Sequence, residues 1–283
     1  MIRRFVLFLL FCLIPYSAYA LNVENLPDAD IEMRKQVISK LQPLIQERDA
    51  KGDLATLTFE ELYAPLTKDE RNFLRQFRHL PRKETGIKIP WRGISSGEKD
   101  LMVIKGQKVK DKVRVRKEGK LVTEIVDRTL PPQFLPLTVY QKFFAMMAAM
   151  EKEIGRRLYV DSGYRSSAFQ LYLFVYYLKN HDYSVKETVR FVTLPGYSEH
   201  GCPKYQAVDF INADGVNGDP KVEEFEALPE NRWLHEHAHE FGFVLSYPKD
   251  SPAGITYEPW HWRYDPKAAK KLKRNITVKK SGD

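Results

Sequence analysis

Residues 206–211 read Gln-Ala-Val-Asp-Phe-Ile, a short run that embeds one acidic residue among apolar neighbours. Strand alternation places Ala207, Asp209 and Ile211 on one face and Val208 with Phe210 on the other. A carboxylate in this setting is expected to be buried, and a buried carboxylate needs a cation or a full set of donors. Two sources are open at this point: an arginine in a structural pair, or a metal ion shared with His200 shortly upstream.

A second stretch, Tyr257-Glu258-Pro259-Trp260-His261-Trp262-Arg263-Tyr264, alternates in the same way. Trp260 and Trp262 fall on one face and His261 with Arg263 on the other, so the histidine is backed by a hydrophobic wall. A histidine hydrogen-bonded within an aromatic core would give the same pattern. In a regular strand Glu258 and His261 point oppositely, so for both to serve one site Pro259 must accompany a bend or bulge.

A third stretch, Ser162-Gly163-Tyr164-Arg165-Ser166, follows a strand-like run over 157–161 and opens a helix from about Ser167 to Leu178. Ser167 and Gln170 stand at capping-box spacing. Gly163 either relieves the backbone of a plain turn, or the turn presents Arg165 beside a helix N-terminus. There, exposed N–H groups and a guanidinium together suit an anionic group.

Three protein ligands with a fourth tetrahedral position left to water describe a catalytic zinc. Such a metal acidifies the water and polarises a carbonyl, while a nearby carboxylate moves the proton. Glu258 fits that last role. A rival lies in His235-Glu236-His237-Ala238-His239, an HExxH pattern in which two histidines one helical turn apart share a face with a glutamate.

Taken in order, SGYRSSAFQ (162–170), GYSEH (196–200) followed by AVDF (207–210), WLHEHAHEFGFVLSYP (233–248) and YEPWHWRY (257–264) resemble the successive motifs of the VanY-type zinc D-alanyl-D-alanine carboxypeptidases. That family shares a metal-site fold with lysostaphin and hedgehog domains. The resemblance covers about residues 135–266. It implies an α+β fold with a small antiparallel sheet carrying the zinc site and helices packed against it. It further implies zinc ligands at His200, Asp209 and His261, a catalytic base at Glu258, and Arg165 positioning substrate or stabilising the oxyanion. Ser198 and Gln170 fall near the substrate, and the HEHAH helix becomes a packing element.

The implied reaction is hydrolysis of the C-terminal peptide bond of peptidoglycan stem peptides. An L,D-carboxypeptidase, dipeptidase or endopeptidase on the same scaffold is the alternative, as is a cell-wall binding module that has lost catalysis. One departure stands out. The interval from His200 to Asp209 is two residues longer than the family's usual spacing, and Cys-Pro-Lys-Tyr-Gln (202–206) replaces its customary glycine.

Working outward, residues 1–20 put Arg3 and Arg4 before an apolar run and end Ala18-Tyr19-Ala20, the order of a secretory signal. The run is shorter than the roughly 20 apolar residues of a spanning helix. An exported protein of the periplasm or cell envelope is expected, with no stable membrane span after signal removal; a retained anchor is the alternative. Cys12 leaves with the signal, so Cys202 alone remains and no internal disulfide can form.

The formal charge of +8 falls by two when Arg3 and Arg4 are lost. The surplus has no aromatic-interleaved basic motif, so nucleic acid is not an expected partner. Residues 21–130 read as an N-terminal accessory region: an amphipathic helix from Ala29 to Arg48, a helical stretch from Thr58 to Leu74 with Thr67 and Glu70 as a capping box, then one or two hairpins between 99 and 128. Pro131, Pro132 and Pro136 are expected to interrupt regular structure before Thr138 opens a helix closed by Gly155. The catalytic domain is assigned to 131–270 and a basic tail to 271–283.

Overall fold

A computed structural model describes residues 21–95, 100–117 and 119–280; the expected signal, residues 1–20, lies outside them. The chain opens on α1 (Asp28–Lys51), which buries Arg34, Val37 and Leu41 along one face. Where the sequence suggests a single helical stretch from 58 to 74, two helices form, α2 (Phe59–Tyr63) and α3 (Lys68–Arg78). Each starts on its own capping box, Thr58 with Glu61 and Thr67 with Glu70, so the second box begins a new helix rather than continuing the first. A single turn, α4 (Arg82–Thr85), follows.

Strands β1 (Leu101–Ile104), β2 (Lys108–Lys117), β3 (Lys120–Thr129) and β4 (Gln133–Pro136) come next. β2 and β3 form one antiparallel hairpin, while β1 passes over it to pair with β4. The proline cluster therefore does not end regular structure. Pro131 and Pro132 precede β4 and Pro136 closes it, positions where the missing N–H costs no central ladder bond. Helix α5 (Leu137–Ile154) begins directly on Pro136 with no side-chain cap, so Thr138 does not open it; Gly155, at φ 67°, closes it as expected.

The remaining elements are β5 (Leu158–Ser162), α6 (Ser167–Tyr177), α7 (Val185–Thr188), β6 (Ala207–Asn212), α8 (Val222–Glu226), α9 (Pro229–His237), β7 (Phe243–Leu245), β8 (His261–Tyr264) and α10 (Pro266–Lys280). The four strands make one sheet in the order β5-β6-β8-β7, antiparallel throughout. This is the expected α+β arrangement. The cap of α6 is Ser166, whose Oγ accepts from Phe169 N at 3.1 Å, and not Ser167.

One sheet face carries Val160, Val208, Phe210, Phe243 and Trp262 into a core with Phe143 and the methionines of α5 and with Trp233 and Leu234 of α9. A second core joins the N-terminal helices to α6: Val37, Leu41, Phe73 and Phe77 pack with Leu171, Phe174 and Val175. At about 1.5–3 kcal/mol per buried large apolar side chain, this shared core ties residues 21–85 firmly to the site-bearing part of the chain. Polar contacts reinforce it. Buried Arg34 donates to the carbonyls of Val175 (2.9 Å) and Tyr176 (2.5 Å) at the C-terminal end of α6, and Ser166 is held by the carbonyls of Ala55 and Leu57.

Gly163 sits where β5 gives way to α6, against β4. A Cβ there would meet the Phe134 carbonyl oxygen at 2.5 Å, a backbone atom that cannot swing aside. Gly163→Ala is expected to destabilise the protein by about 1–3 kcal/mol, read as a lowered midpoint in urea. A midpoint equal to wild type would show that this approach is not tight.

Candidate metal centre

The register of β6 against β8 places Asp209 directly opposite His261, while their neighbours Val208 and Trp262 face the core. Asp209 Oδ1 lies 2.7 Å from His261 Nδ1. His200 arrives from a different element, a one-turn 3-10 helix over Glu199–Gly201 that Ser198 caps by accepting from the His200 N–H at 3.3 Å. Its Nδ1 is 2.7 Å from the Gly163 carbonyl. A carbonyl can only accept, so Nδ1 carries the proton and Nε2 keeps its lone pair. That Nε2 is buried, lies 3.1 Å from Asp209 Oδ2, and makes no hydrogen bond.

The other nitrogen of His261 is also tethered, Nε2 standing 3.3 Å from Glu199 Oε2. Both rings are thus oriented from behind, by a carbonyl and by a carboxylate, in the manner of metal-ligating histidines. One ligand atom each from His200, Asp209 and His261 lies within 4.8 Å of the others. Among the described residues no other group of three histidine, cysteine, aspartate or glutamate side chains meets that spacing. Two imidazoles and a carboxylate with an unsatisfied buried nitrogen suit zinc, and the site fits that ion.

The bend required before His261 is present. β8 begins only at His261, whose N–H closes a turn onto the Glu258 carbonyl at 3.1 Å, and Trp262 Nε1 donates to the Pro259 carbonyl. The turn brings Glu258 Oε2 to 3.7 Å from His261 Nδ1. Burial pushes the Glu258 carboxyl up to about 8; His261 and Arg165 oppose the shift, Asp209 and Glu199 add to it. Burial likewise disfavours charge on His200, with Arg165 assisting, and lowers it to about 4. On His261 burial is outweighed by Asp209, Glu199 and Glu258, which raise it to about 10. Asp209 is depressed: burial resists, but the two histidines prevail.

Arg165 is half-buried beside this group, its backbone N–H on the His200 carbonyl at 3.1 Å; burial works against its charge while Asp209 and Glu258 favour it. Arg165, Gln170, Ser198 and Glu258 all line a cavity of about 760 Å³ that reaches His200, Asp209 and His261. Gln170 spends its amide N–H on the Thr193 carbonyl at 2.7 Å and turns up a buried Oε1 with no partner. The long interval between His200 and Asp209 is taken up by a second 3-10 turn, Pro203–Tyr205, before β6 starts. Cys202 in this loop is a buried free thiol outside the ligand group.

The rival histidines are elsewhere. Helix α9 ends at His237 and His239 belongs to the following 3-10 turn, so the two HExxH histidines do not share one α-helical face. His235 packs edge-on to Trp262, 5.4 Å between ring centres, and His237 faces Glu153 and Glu240.

Glu199 is the residue that sequence reasoning passed over. It is 2 % exposed and takes hydrogen bonds from Arg92 Nη2 (2.6 Å) and Ser246 Oγ (2.5 Å) besides facing His261. Burial would raise its carboxyl, but His261, Arg263 and Ser246 hold it down at about 2. Its adjacency to His200 in GYSEH is the only local sign of this. Tyr247 also went unassigned; its ring stacks on His261 at 4.8 Å.

A family model described as VanY, D-alanyl-D-alanine carboxypeptidase, matches residues 133–267. A D-alanyl-D-alanine carboxypeptidase of Enterococcus faecium is 31% identical over 136 residues, 46% of this chain and 37% of that protein. The bifunctional D-Ala-D-Ala dipeptidase and carboxypeptidase VanXYC of Enterococcus gallinarum is 37% identical over 117 residues, 41% of this chain and 57% of that protein. A crystal structure of a VanY D,D-pentapeptidase in complex with Zn(II) aligns at TM-score 0.40 and 27% identity, covering 50% of this chain and 78% of that one. The chain thus spans well under two thirds of these curated relatives. No helix among the described residues is long and apolar enough to cross a membrane. Over residues 133–267 the chain is thus similar to the VanY family of D-alanyl-D-alanine carboxypeptidases.

Proposed function

We propose that the protein is an exported, zinc-dependent D-alanyl-D-alanine carboxypeptidase that hydrolyses the C-terminal peptide bond of peptidoglycan stem peptides. The observation that carries this reading is the convergence of His200, Asp209 and His261 at a cavity that Glu258 and Arg165 also line. Residues 131–270 are proposed as the catalytic domain, 21–130 as an accessory region packed onto it, 271–283 as a basic tail, and 1–20 as a signal directing the chain to the periplasm or cell envelope.

When held by His200, Asp209 and His261, zinc supplies Lewis acidity to the scissile carbonyl and lowers the pKa of an attacking water. Glu258 takes that water's proton and passes it to the departing D-alanine amine. Arg165 directs its guanidinium at negative charge, either the substrate's terminal carboxylate or the developing oxyanion, in a buried setting where one charge counts for more than in water. Ser198 and the free Oε1 of Gln170 supply polar contacts along the substrate's path.

The names of the relatives keep a second reading open. One of them is both dipeptidase and carboxypeptidase, so bond choice is set by cavity walls rather than by the metal centre. L,D-carboxypeptidase, dipeptidase and endopeptidase action are separated by the products from defined substrates. D-Alanine released from a stem pentapeptide is expected; release from tetrapeptide alone would contradict the D,D assignment, and binding to peptidoglycan with neither zinc nor cleavage would leave a binding module.

Two further outcomes follow. Glu258→Gln should retain zinc while kcat falls roughly 10²–10⁴-fold; loss of zinc along with activity would make Glu258 a ligand instead. In the metal-free protein the folded Glu258 carboxyl holds its proton up to about 8 while the unfolded one releases it near its ordinary value of 4.5, so its burial costs stability increasingly as pH rises through that window. Metal-free Glu258→Gln is therefore expected to melt several degrees above wild type at pH 8 and close to it at pH 4. Equal melting at pH 8 would contradict the raised carboxyl.

A further inference from the structure

Residues 87–95 form an irregular strap that packs against the segment carrying His200, although they lie outside the matched family region 133–267. The strap is fixed along its length. Lys88 N–H donates to the Ala253 carbonyl at 2.8 Å, and Arg92 N–H to the Gly196 carbonyl at 2.6 Å. Ser95 and Ser167 exchange bonds, Ser95 N–H to Ser167 Oγ at 2.9 Å and Ser167 N–H to the Ser95 carbonyl at 3.1 Å. Gly196, at φ 82°, has no room for a side chain because Trp91 covers it; a Cβ there would stand 2.3 Å from the indole ring. The strap therefore lies directly on GYSEH, the segment that delivers His200.

Arg92 is the strap's polar contribution. Its Nη2 reaches Glu199 Oε1 at 2.6 Å, and the other carboxylate oxygen of Glu199 faces His261 Nε2 at 3.3 Å. Its guanidinium carbon also sits 5.0 Å from the ring centre of Tyr205. Tyr205 belongs to the Cys-Pro-Lys-Tyr-Gln loop, the part of the His200–Asp209 interval that departs from the family pattern. The strap from the N-terminal region and the longer loop thus meet on one arginine, which grips the carboxylate behind a ligand histidine.

We propose that Arg92 is a positioning residue of the metal centre: through Glu199 it fixes the ring of His261, and Tyr205 holds its guanidinium in place. A carboxylate that is 2 % exposed cannot orient an imidazole reliably unless its remaining lone pairs are satisfied. Arg92 and Ser246 satisfy them. Arginine suits the task because its planar guanidinium can bond a carboxylate along one edge and present a face to an aromatic ring. Residues 21–130 then do more than support the fold, because they supply part of the shell that sets metal affinity.

This inference rests on the zinc reading above, and the test separates the two. Zinc affinity is measured by competition with a chromophoric chelator for wild type, Arg92→Met, Arg92→Lys, Glu199→Gln and the double variant Arg92→Met/Glu199→Gln, with the visible spectrum of the cobalt-loaded proteins as a second readout. Arg92→Met should weaken zinc roughly 10-fold and alter the cobalt bands, as loss of an outer-shell partner does. Arg92→Lys should recover part of that affinity. The double variant should bind no more weakly than Glu199→Gln alone, because Arg92 acts only through Glu199. Wild-type affinity in folded Arg92→Met, or losses that multiply in the double variant, would overturn the inference. Should Arg92→Met fail to fold, Tyr205→Leu leaves the ion pair in place and should weaken zinc roughly 2–5-fold; unchanged affinity there would likewise overturn it. A wild-type protein that takes up no zinc at all would instead defeat the metal reading itself.

Discussion

The pairing of Asp209 with His261 across β6 and β8, at 2.7 Å, is the contact on which the rest of the site depends. It is a consequence of register. A slip by one residue would send Asp209 and His261 into the core and Val208 and Trp262 out of it, so the same apolar packing that builds the sheet also fixes these two side chains against each other. His200 is then added from outside the sheet, held by the Gly163 carbonyl at its far nitrogen. The residue there is glycine because β4 approaches so closely that no side chain fits.

Around that pair the charges are arranged so that a divalent cation resolves a conflict. Asp209, Glu199 and Glu258 crowd together with Arg165 and two histidines of opposite tendency, His200 held neutral by burial and by Arg165, His261 held protonated by Asp209 despite its burial. A metal held by both histidines as neutral ligands would leave the carboxylates compensated. The protonated Glu258 belongs to the same balance: it is the carboxyl that burial, aided by Asp209 and Glu199, leaves neutral.

Much of this was legible in the sequence, and what escaped did so for identifiable reasons. Alternation in QAVDFI and PWHWRY gives the strand faces because both segments pair in a sheet with one apolar side. The bend before His261 could be inferred as a requirement, since Glu258 and His261 would otherwise point apart, and Pro259 marked its place. Glu199 was not legible: a glutamate beside a histidine looks solvated until Arg92, Ser246 and His261 are seen to converge on it from three distant parts of the chain. The pairing of β1 with β4 across the β2–β3 hairpin escaped for the same reason, being non-local, and prolines at the ends of β4 masked a strand that needs few N–H donors. At the start of α6 capping-box spacing pointed to Ser167, but the cap is Ser166, which the carbonyl of Leu57 holds in place.

The identity of the ligands is the central claim, and the HEHAH segment offers a direct contrast within the same chain. Zinc content per molecule, measured on purified protein for His261→Ala beside His239→Ala, tests it most directly. The arrangement of β6, β8 and the His200 turn predicts that His261→Ala loses its zinc while His239→Ala keeps about one equivalent. Zinc retained by His261→Ala and lost from His239→Ala would contradict it.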